Sequence, residues 1–335
     1  MRIRNILALI TAIVIGMSLC GCSMQTESYT DSNMDFDQYG EGYPHIAEGA
    51  DGYYYMSSDD IWFYDYDTGE TSLYCNEFGS VDYLGYYDNA PYAVGDGALY
   101  VLSDDGSREK VFDIPEIENL SNTQITIHSG WLVACGLNED GSAEVLRYSL
   151  EDGTCETIYE LAEAEYVKVS PYSDIVYILA GNSQITELCG YDLDSLETSV
   201  LYSSGDCVFT DPFFRTTVEA AYMSEGGAVY AYNVTTGEIS VSFDFNSDET
   251  TAYEIGGFAE YYVFAGYIDD SGYHLYVKDI YGNDKIVTDI ALSDEIEAVI
   301  CGSDSQRVFV MVNLGSSESS LIAVNYLNGE FETLW

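Results

Sequence analysis

The stretch Val229-Tyr230-Ala231-Tyr232-Asn233-Val234-Thr235-Thr236-Gly237-Glu238 reads as a strand, a turn closed by glycine, and the start of a second strand. Three copies of that shape stand elsewhere: Ile61-Trp62-Phe63-Tyr64-Asp65-Tyr66-Asp67-Thr68-Gly69-Glu70, Val145-Leu146-Arg147-Tyr148-Ser149-Leu150-Glu151-Asp152-Gly153 and Leu321-Ile322-Ala323-Val324-Asn325-Tyr326-Leu327-Asn328-Gly329-Glu330. Weaker copies turn at Asp105-Gly106 and Gly282-Asn283. In Tyr191-Asp192-Leu193-Asp194-Ser195-Leu196-Glu197 the glycine is replaced. The turn glycines Gly69, Gly106, Gly153, Gly237, Gly282 and Gly329 are spaced by 37, 47, 84, 45 and 47 residues. The interval of 84 holds two repeats, one of them the copy that lacks glycine.

Residues 42–335 number 294, which divided by seven gives units of 42. That is the period of a four-stranded propeller blade, ~40–45 residues. The third unit parses into strands at 124–129, 131–137, 143–150 and 155–161, and the last into 298–302, 307–314, 320–327 and 331–335. The unit from Asp82 to Ile114 is the shortest and least regular, so a blade count of six or eight stays open there. No stretch sustains a 3.6-residue period, and 160–165 is helix-like in composition but short. A sandwich has no reason for seven near-copies, and a β-solenoid needs shorter rungs. Radial repetition leaves only short, protected edges. The fold expected is all-β, a β-propeller of seven four-stranded blades over residues 43–335. The blade openings Asp51-Gly52-Tyr53-Tyr54-Tyr55 and Asp96-Gly97-Ala98-Leu99-Tyr100 resemble those of Tyr- and Gly-rich propellers of bacterial surface lipoproteins, the DUF5050-like and TolB-like groups among them. The resemblance is one of repeat style and brings no functional residue with it.

The N-terminus has the three parts of a secretory signal: Arg2 and Arg4, an uncharged stretch over 6–19, then small residues leading to Cys22. The apolar run is short for a membrane span. Leu19-Cys20-Gly21-Cys22 resembles the lipobox of bacterial lipoproteins, with an aliphatic residue at −3, Gly at −1 and Cys at +1. Cys20 departs from that pattern only at a loosely specified position. The resemblance implies that 1–21 is a signal peptide and that Cys22 is the site of lipid attachment. It also implies a domain anchored at the cell membrane on its extracytoplasmic face. The alternative is an ordinary signal-peptidase site with Cys22 a plain cysteine. Residues 22–42, polar and acidic without apolar period, read as a flexible tether. Fully extended it reaches roughly 65–70 Å.

The chain carries 58 Asp+Glu against 10 Lys+Arg, a net charge of −48. Such a surface repels phosphate backbones, which excludes nucleic acid as a partner, and it repels anionic headgroups, which leaves membrane attachment to the covalent lipid. Its natural counter-charges are cationic partners or divalent cations. With 47% apolar residues and 32 Tyr, the acidity does not signal disorder. Beyond Cys22 stand Cys75, Cys135, Cys155, Cys189, Cys207 and Cys301, without any Cys-x-x-Cys spacing. Six could form three disulfides. In the blade scheme, however, Cys135 and Cys155 fall on strands separated by a third, about 9–10 Å apart. Buried free thiols are therefore expected.

Catalytic chemistry finds little support. No Gly-x-Ser-x-Gly is present. His45, His128 and His274 are isolated, and each is expected to be a satisfied or solvated side chain. Asp59-Asp60, Asp104-Asp105 and Asp269-Asp270 fall where turns are expected. Asp65-x-Asp67-Thr68-Gly69 hints at a calcium loop but lacks the remaining ligand spacing, and the turn reading is preferred. The runs Tyr53-Tyr54-Tyr55, Tyr86-Tyr87 and Tyr261-Tyr262 could form an aromatic platform for sugar or peptide. Alternation sends neighbours to opposite faces, which favours packing between blades. No catalytic, cofactor-binding or metal residue is assigned. The only inorganic ligand expected is Ca²⁺, held weakly by the acidic surface as a whole. The function expected is a tethered extracytoplasmic interaction module that binds an envelope protein or glycan through a propeller face. The alternative is a polysaccharide lyase or glycoside hydrolase using channel carboxylates. A component of a transport or assembly complex is a third reading.

Overall fold

The computed structural model describes residues 46–334 apart from 58–59, 77, 80, 207–208, 210–211, 218–219, 226, 246–253, 260, 270–271, 291–297, 304–305 and 313–319. The signal peptide, Cys22, the tether, His45, Asp59, Cys207 and Asp270 therefore lie outside the described residues.

Seven four-stranded antiparallel sheets follow one another along the chain, each with its strands in sequence order. They span 46–75, 83–113, 121–161, 166–204, 213–244, 254–290 and 298–333, blades 1 to 7. Blade 3 has strands Ser121–His128, Trp131–Leu137, Ala143–Ser149 and Cys155–Leu161, close to those read from the sequence. The irregular unit is a full blade. It is short because Asp88-Asn89 and Asp96-Gly97 are two-residue turns with φ of 47°, 61°, 50° and 69°, the geometry that joins antiparallel strands most tightly. Among the described residues the helical content is one 3₁₀ turn, Ile117–Asn119.

The blades pack face to face without a common core. Seven apolar clusters exist, one at each junction: blades 1/2, 2/3, 3/4, 4/5, 5/6, 6/7 and 7/1. The seventh closes the ring. Among the described residues, blades 1 and 7 are each built from four consecutive strands and exchange none. Closure at that seam rests on side chains.

The repeated turn joins the third and fourth strands, and its chemistry explains the motif. Asp65, Asp192, Asn233 and Asn325 accept backbone N–H bonds from the turn through Oδ1. The residue four places on closes the turn by donating its N–H to the backbone carbonyl of that Asp or Asn, at 2.8–2.9 Å. That fifth position is left-handed: Gly69, Gly237 and Gly329 have φ of 67°, 72° and 78°. Leu196 adopts the same conformation at φ 60°, a strained setting for a side chain with Cβ. The second turn residue is pinned inward. Tyr66, Leu193 and Tyr326 donate their N–H to the carbonyls of Asp51, Asp174 and Gln306.

In six blades the register slips by one residue between the third and fourth strands. The extra residues are Tyr74, Val111, Ile158, Leu201, Ser242 and Lys285. Bulges of this kind bend an edge strand and discourage pairing with other chains. Cys75, Cys135 and Cys189 are buried free thiols, as expected, whereas Cys155 is free but only half-buried; burial pushes Cys189 up to about 12.

Candidate interaction surface

The innermost strands bring polar side chains to the blade junctions, where most are consumed. Gln124 of blade 3 reads the backbone of blade 4: its Nε2 donates to Val169 O at 3.1 Å and its Oε1 accepts from Val169 N at 2.9 Å. Ser170 Oγ of blade 4 accepts from Thr216 N of blade 5 at 2.9 Å, and Thr216 Oγ1 donates to Ser170 O. Tyr83 OH of blade 2 accepts from Ile127 N of blade 3. His128 is buried at the end of its strand, with Nε2 2.5 Å from Ser173 O. His274 lies 2.7 Å from Asp289 Oδ1 and stacks on Tyr267. The two histidines are thus separately occupied. Among the described residues no group of three His, Cys, Asp or Glu is arranged to hold a metal ion.

Most of the few cations are held against aromatic rings or buried. Residues 22–335 hold eight Lys and Arg. Arg108 lies over Phe78 at 4.7 Å and Tyr100 at 5.4 Å, and Arg147 over Trp131 at 4.2 Å and Tyr191 at 5.3 Å. Lys278 lies over Phe245 at 5.4 Å, and Arg307 over Tyr66, Tyr64 and Tyr53 at 5.0, 5.5 and 5.9 Å. Arg147 also pairs with Glu156, and Lys278 with Asp284. Lys168 and Arg215 stand on the innermost strands of blades 4 and 5, the former buried. Arg108, Lys110 and Lys285 are the exposed ones, and the two lysines are each paired with an Asp. Cation–π contacts of this type strengthen as water is excluded. Apart from Arg108, Lys110 and Lys285, the charge facing outward is that of carboxylates.

The aromatic runs pack between blades. Tyr53 and Tyr55 join the 7/1 cluster and Tyr54 the 1/2 cluster, so one run serves both neighbours of blade 1. Tyr86 and Tyr87 divide in the same way between the 1/2 and 2/3 clusters. Tyr262 packs at the 6/7 junction and Tyr261 is exposed. Asp65 accepts from Thr68 N and Oγ1, and Asp105 from Ser107 N and Oγ. These turn hydrogen bonds hold both carboxyls below their ordinary pKa. Asp104 instead accepts from Tyr74 OH at 3.3 Å. Asp60 and Asp269 lie at the ends of strands.

One carboxylate meeting has no counterpart in the sequence reading. Asp82, just before the innermost strand of blade 2, is raised in pKa by partial burial and then by the charges of Asp96 and Glu118. The three residues are 14 and 22 positions apart along the chain. They meet because Asp96-Gly97 is a tight turn and the 3₁₀ turn carries Glu118 against it. A spacing search could not have found them.

No family model and no curated protein matches the chain. Solved structures do. A prolyl endopeptidase from a study of two such enzymes superposes with a TM-score of 0.62 at 10% identity, over 88% of this chain and 50% of that one. The β-propeller domain of the Trilobed protease from Pyrococcus furiosus, described as having an open velcro topology, gives 0.54 at 12% identity over 88% and 98%. Acylaminoacyl peptidase from Pyrococcus horikoshii gives 0.58 at 13% over 88% and 52%. TolB from Acinetobacter baumannii is a looser match, 0.47 at 15% over 87% and 78%. This chain spans about half the length of the two peptidases. What it shares with them is the propeller fold.

Proposed function

We propose that the chain is a membrane-tethered extracytoplasmic interaction module whose propeller binds a cationic protein or an amine-bearing glycan of the cell envelope. The scarcity of basic side chains, most of them held against rings or buried, carries this reading. Of the eight cations of residues 22–335, four lie on aromatic rings and Lys168 is buried. An outer surface on which only Arg108, Lys110 and Lys285 are exposed is therefore dominated by carboxylates. A surface of one sign steers partners of the other and rejects its like. The lipobox-like Cys22 and the acidic segment after it would hold this surface clear of the headgroups that repel it. Weak, distributed Ca²⁺ binding by the same carboxylates belongs to this reading.

Two measurements test it. Cys22→Ala is expected to lose acyl-chain labelling and to leave the membrane fraction; a variant still labelled and still membrane-bound removes the anchor from the proposal. The purified protein, immobilised and exposed to envelope extract, is expected to capture a partner that elutes with rising salt. Capture of nothing, together with turnover on a glycan panel, would replace binding by hydrolysis.

A further inference from the structure

The outermost strand of blade 4, Glu197–Ser204, differs from its six counterparts. At eight residues it is the longest of them; the others run from three to seven. After Glu197 it has no charge, reading Thr198-Ser199-Val200-Leu201-Tyr202-Ser203-Ser204. The edges of blades 2, 3 and 6 are guarded by Arg108, Glu109 and Lys110, by Glu156 and Glu160, and by Asp284, Lys285 and Asp289. Charges and short length are the ordinary means of keeping a sheet edge from pairing. The edges of blades 1 and 5 are almost as free of charge but are only five and six residues long. In blade 4 neither charge nor shortness guards the edge, and only the bulge at Leu201 remains. Val200 is 63% exposed, the highest value among the large apolar side chains described, and Leu201 and Leu196 are exposed beside it.

The surroundings specify what would fit. Thr198 Oγ1 donates to Ile158 O of blade 3 at 2.9 Å, so the two blade edges meet on one rim. Glu160 stands two residues after Ile158, and Glu156, which already pairs with Arg147, two before it, while Glu197 opens the strand and Asp206 lies two residues past its end. An apolar centre framed by carboxylates complements a segment with the reverse pattern. Resting on the interaction-module reading above, we infer that this edge takes up an extended segment of a partner protein, β-branched at its centre and bearing Lys or Arg at both ends, as an added strand. Main-chain groups of the strand other than Leu201 O, which already accepts from Tyr232 OH, would supply affinity, with Val200 and the flanking acids setting register. A second copy of this chain is opposed by a net charge of −48 on each molecule.

The test uses the purified protein and a fluorescein-labelled peptide, Lys-Lys-Thr-Val-Thr-Val-Thr-Lys-Lys, with a copy carrying proline in place of the central threonine. Val200→Lys is the informative variant, because Lys110 already holds the equivalent place in blade 2 without disturbing its fold. Val241→Lys, at the equivalent place in blade 5, adds the same charge to a different edge. Proline in the peptide and Val200→Lys are each expected to weaken binding by about tenfold, and Val241→Lys by no more than about twofold. Hydrogen exchange should slow in 197–204 when the peptide binds. Equal weakening by both lysine variants, indifference to the proline, or slowed exchange at another strand would overturn the inference, as would a dimer formed through this edge. If Val200→Lys still captures the envelope partner undiminished, the strand-addition site falls and the module reading stands. If the wild type captures no partner at all, the module reading falls.

Discussion

The junction of blades 3 and 4 and the seam of blades 7 and 1 solve the same packing problem by different means. Blades 3 and 4 are joined by a short length of chain and locked by directional groups. The Gln124 amide bonds to Val169, His128 reaches Ser173 O, and Arg147 lies between Trp131 and Tyr191. Among the described residues, blades 7 and 1 share neither a direct link nor a strand. There the contact is broad and aromatic: Tyr53 meets Phe309 edge-on at 4.9 Å, Met311 and Leu321 fill beside them, and Arg307 covers three tyrosines. A linker already limits where the next blade can lie, so a few hydrogen bonds suffice to fix its register. The seam must bring together the two ends of the ring without that help. Loop closure costs entropy that grows only slowly with length, and large buried aromatic surfaces are the term able to offset it.

The comparison breaks first at Phe309, which is fully buried. Phe309→Ala is expected to cost about 3–5 kcal/mol in denaturant unfolding. Hydrogen exchange should quicken at the innermost strands of blades 1 and 7 before it quickens at those of blades 3 and 4. A cost below about 1 kcal/mol, or uniform quickening around the ring, would mean that the seam is not held by aromatic packing.

The division of labour between local and distant interactions also decides what the sequence reveals. The turn Asn233-Val234-Thr235-Thr236-Gly237 is legible because its Asx bonds and its glycine lie within five residues, and seven recurrences then dictate a ring. The splitting of Tyr53-Tyr54-Tyr55 between two junctions follows from strand alternation alone. By contrast, Arg307 reads as one more surface cation until blade 1 is placed beside it. The bulges at Leu201 and Ile158 are equally silent, although their carbonyls accept from Tyr232 OH and Thr198 Oγ1 of the following blade. The carboxylates of Asp82, Asp96 and Glu118 meet only after two turns have closed. What was hidden is what passes between blades.

A smaller effect sharpens the polar side of the comparison. Gln124→Leu keeps the volume near its present value but leaves Val169 N–H and C=O without their partners in a buried place. The expected loss is about 1–3 kcal/mol. It should be confined to that junction, so a double variant with Phe309→Ala, at the opposite side of the ring, should be additive to within about 0.5 kcal/mol. Strong coupling would show that the two junctions form one cooperative unit.

Within blade 4, Leu196 offers a change of the opposite sign. Its φ of 60° is one that glycine adopts freely, and its side chain is exposed, so Leu196→Gly gives up little packing. Release of backbone strain is expected to outweigh the added freedom of the unfolded chain and to stabilise the protein by about 1 kcal/mol. A loss of stability would mean that the Leu196 side chain has a packing role that its exposure does not suggest.

The smallest effect concerns blade 2 and the 3₁₀ turn that follows it, where Asp96 and Glu118 act on Asp82 as like charges. Partial burial, followed by the charges of Asp96 and Glu118, raises the Asp82 pKa. A carboxyl whose folded pKa lies above its unfolded value binds more protons when folded. Its contribution to stability therefore falls as pH rises from the unfolded pKa through the folded one, and the penalty is fully present at neutral pH. The turn aspartates Asp65, Asp105 and Asp192 have the reverse sign: their pKa values are lowered, and their support is lost as pH falls through the folded values. Asp82→Asn should accordingly raise the melting temperature slightly at pH 7, and the gain over wild type should vanish as Asp82 becomes protonated in both folded and unfolded states. If the gain instead persisted unchanged at low pH, charge repulsion would not be its cause, and the meeting of these three carboxylates would be energetically neutral to the ring.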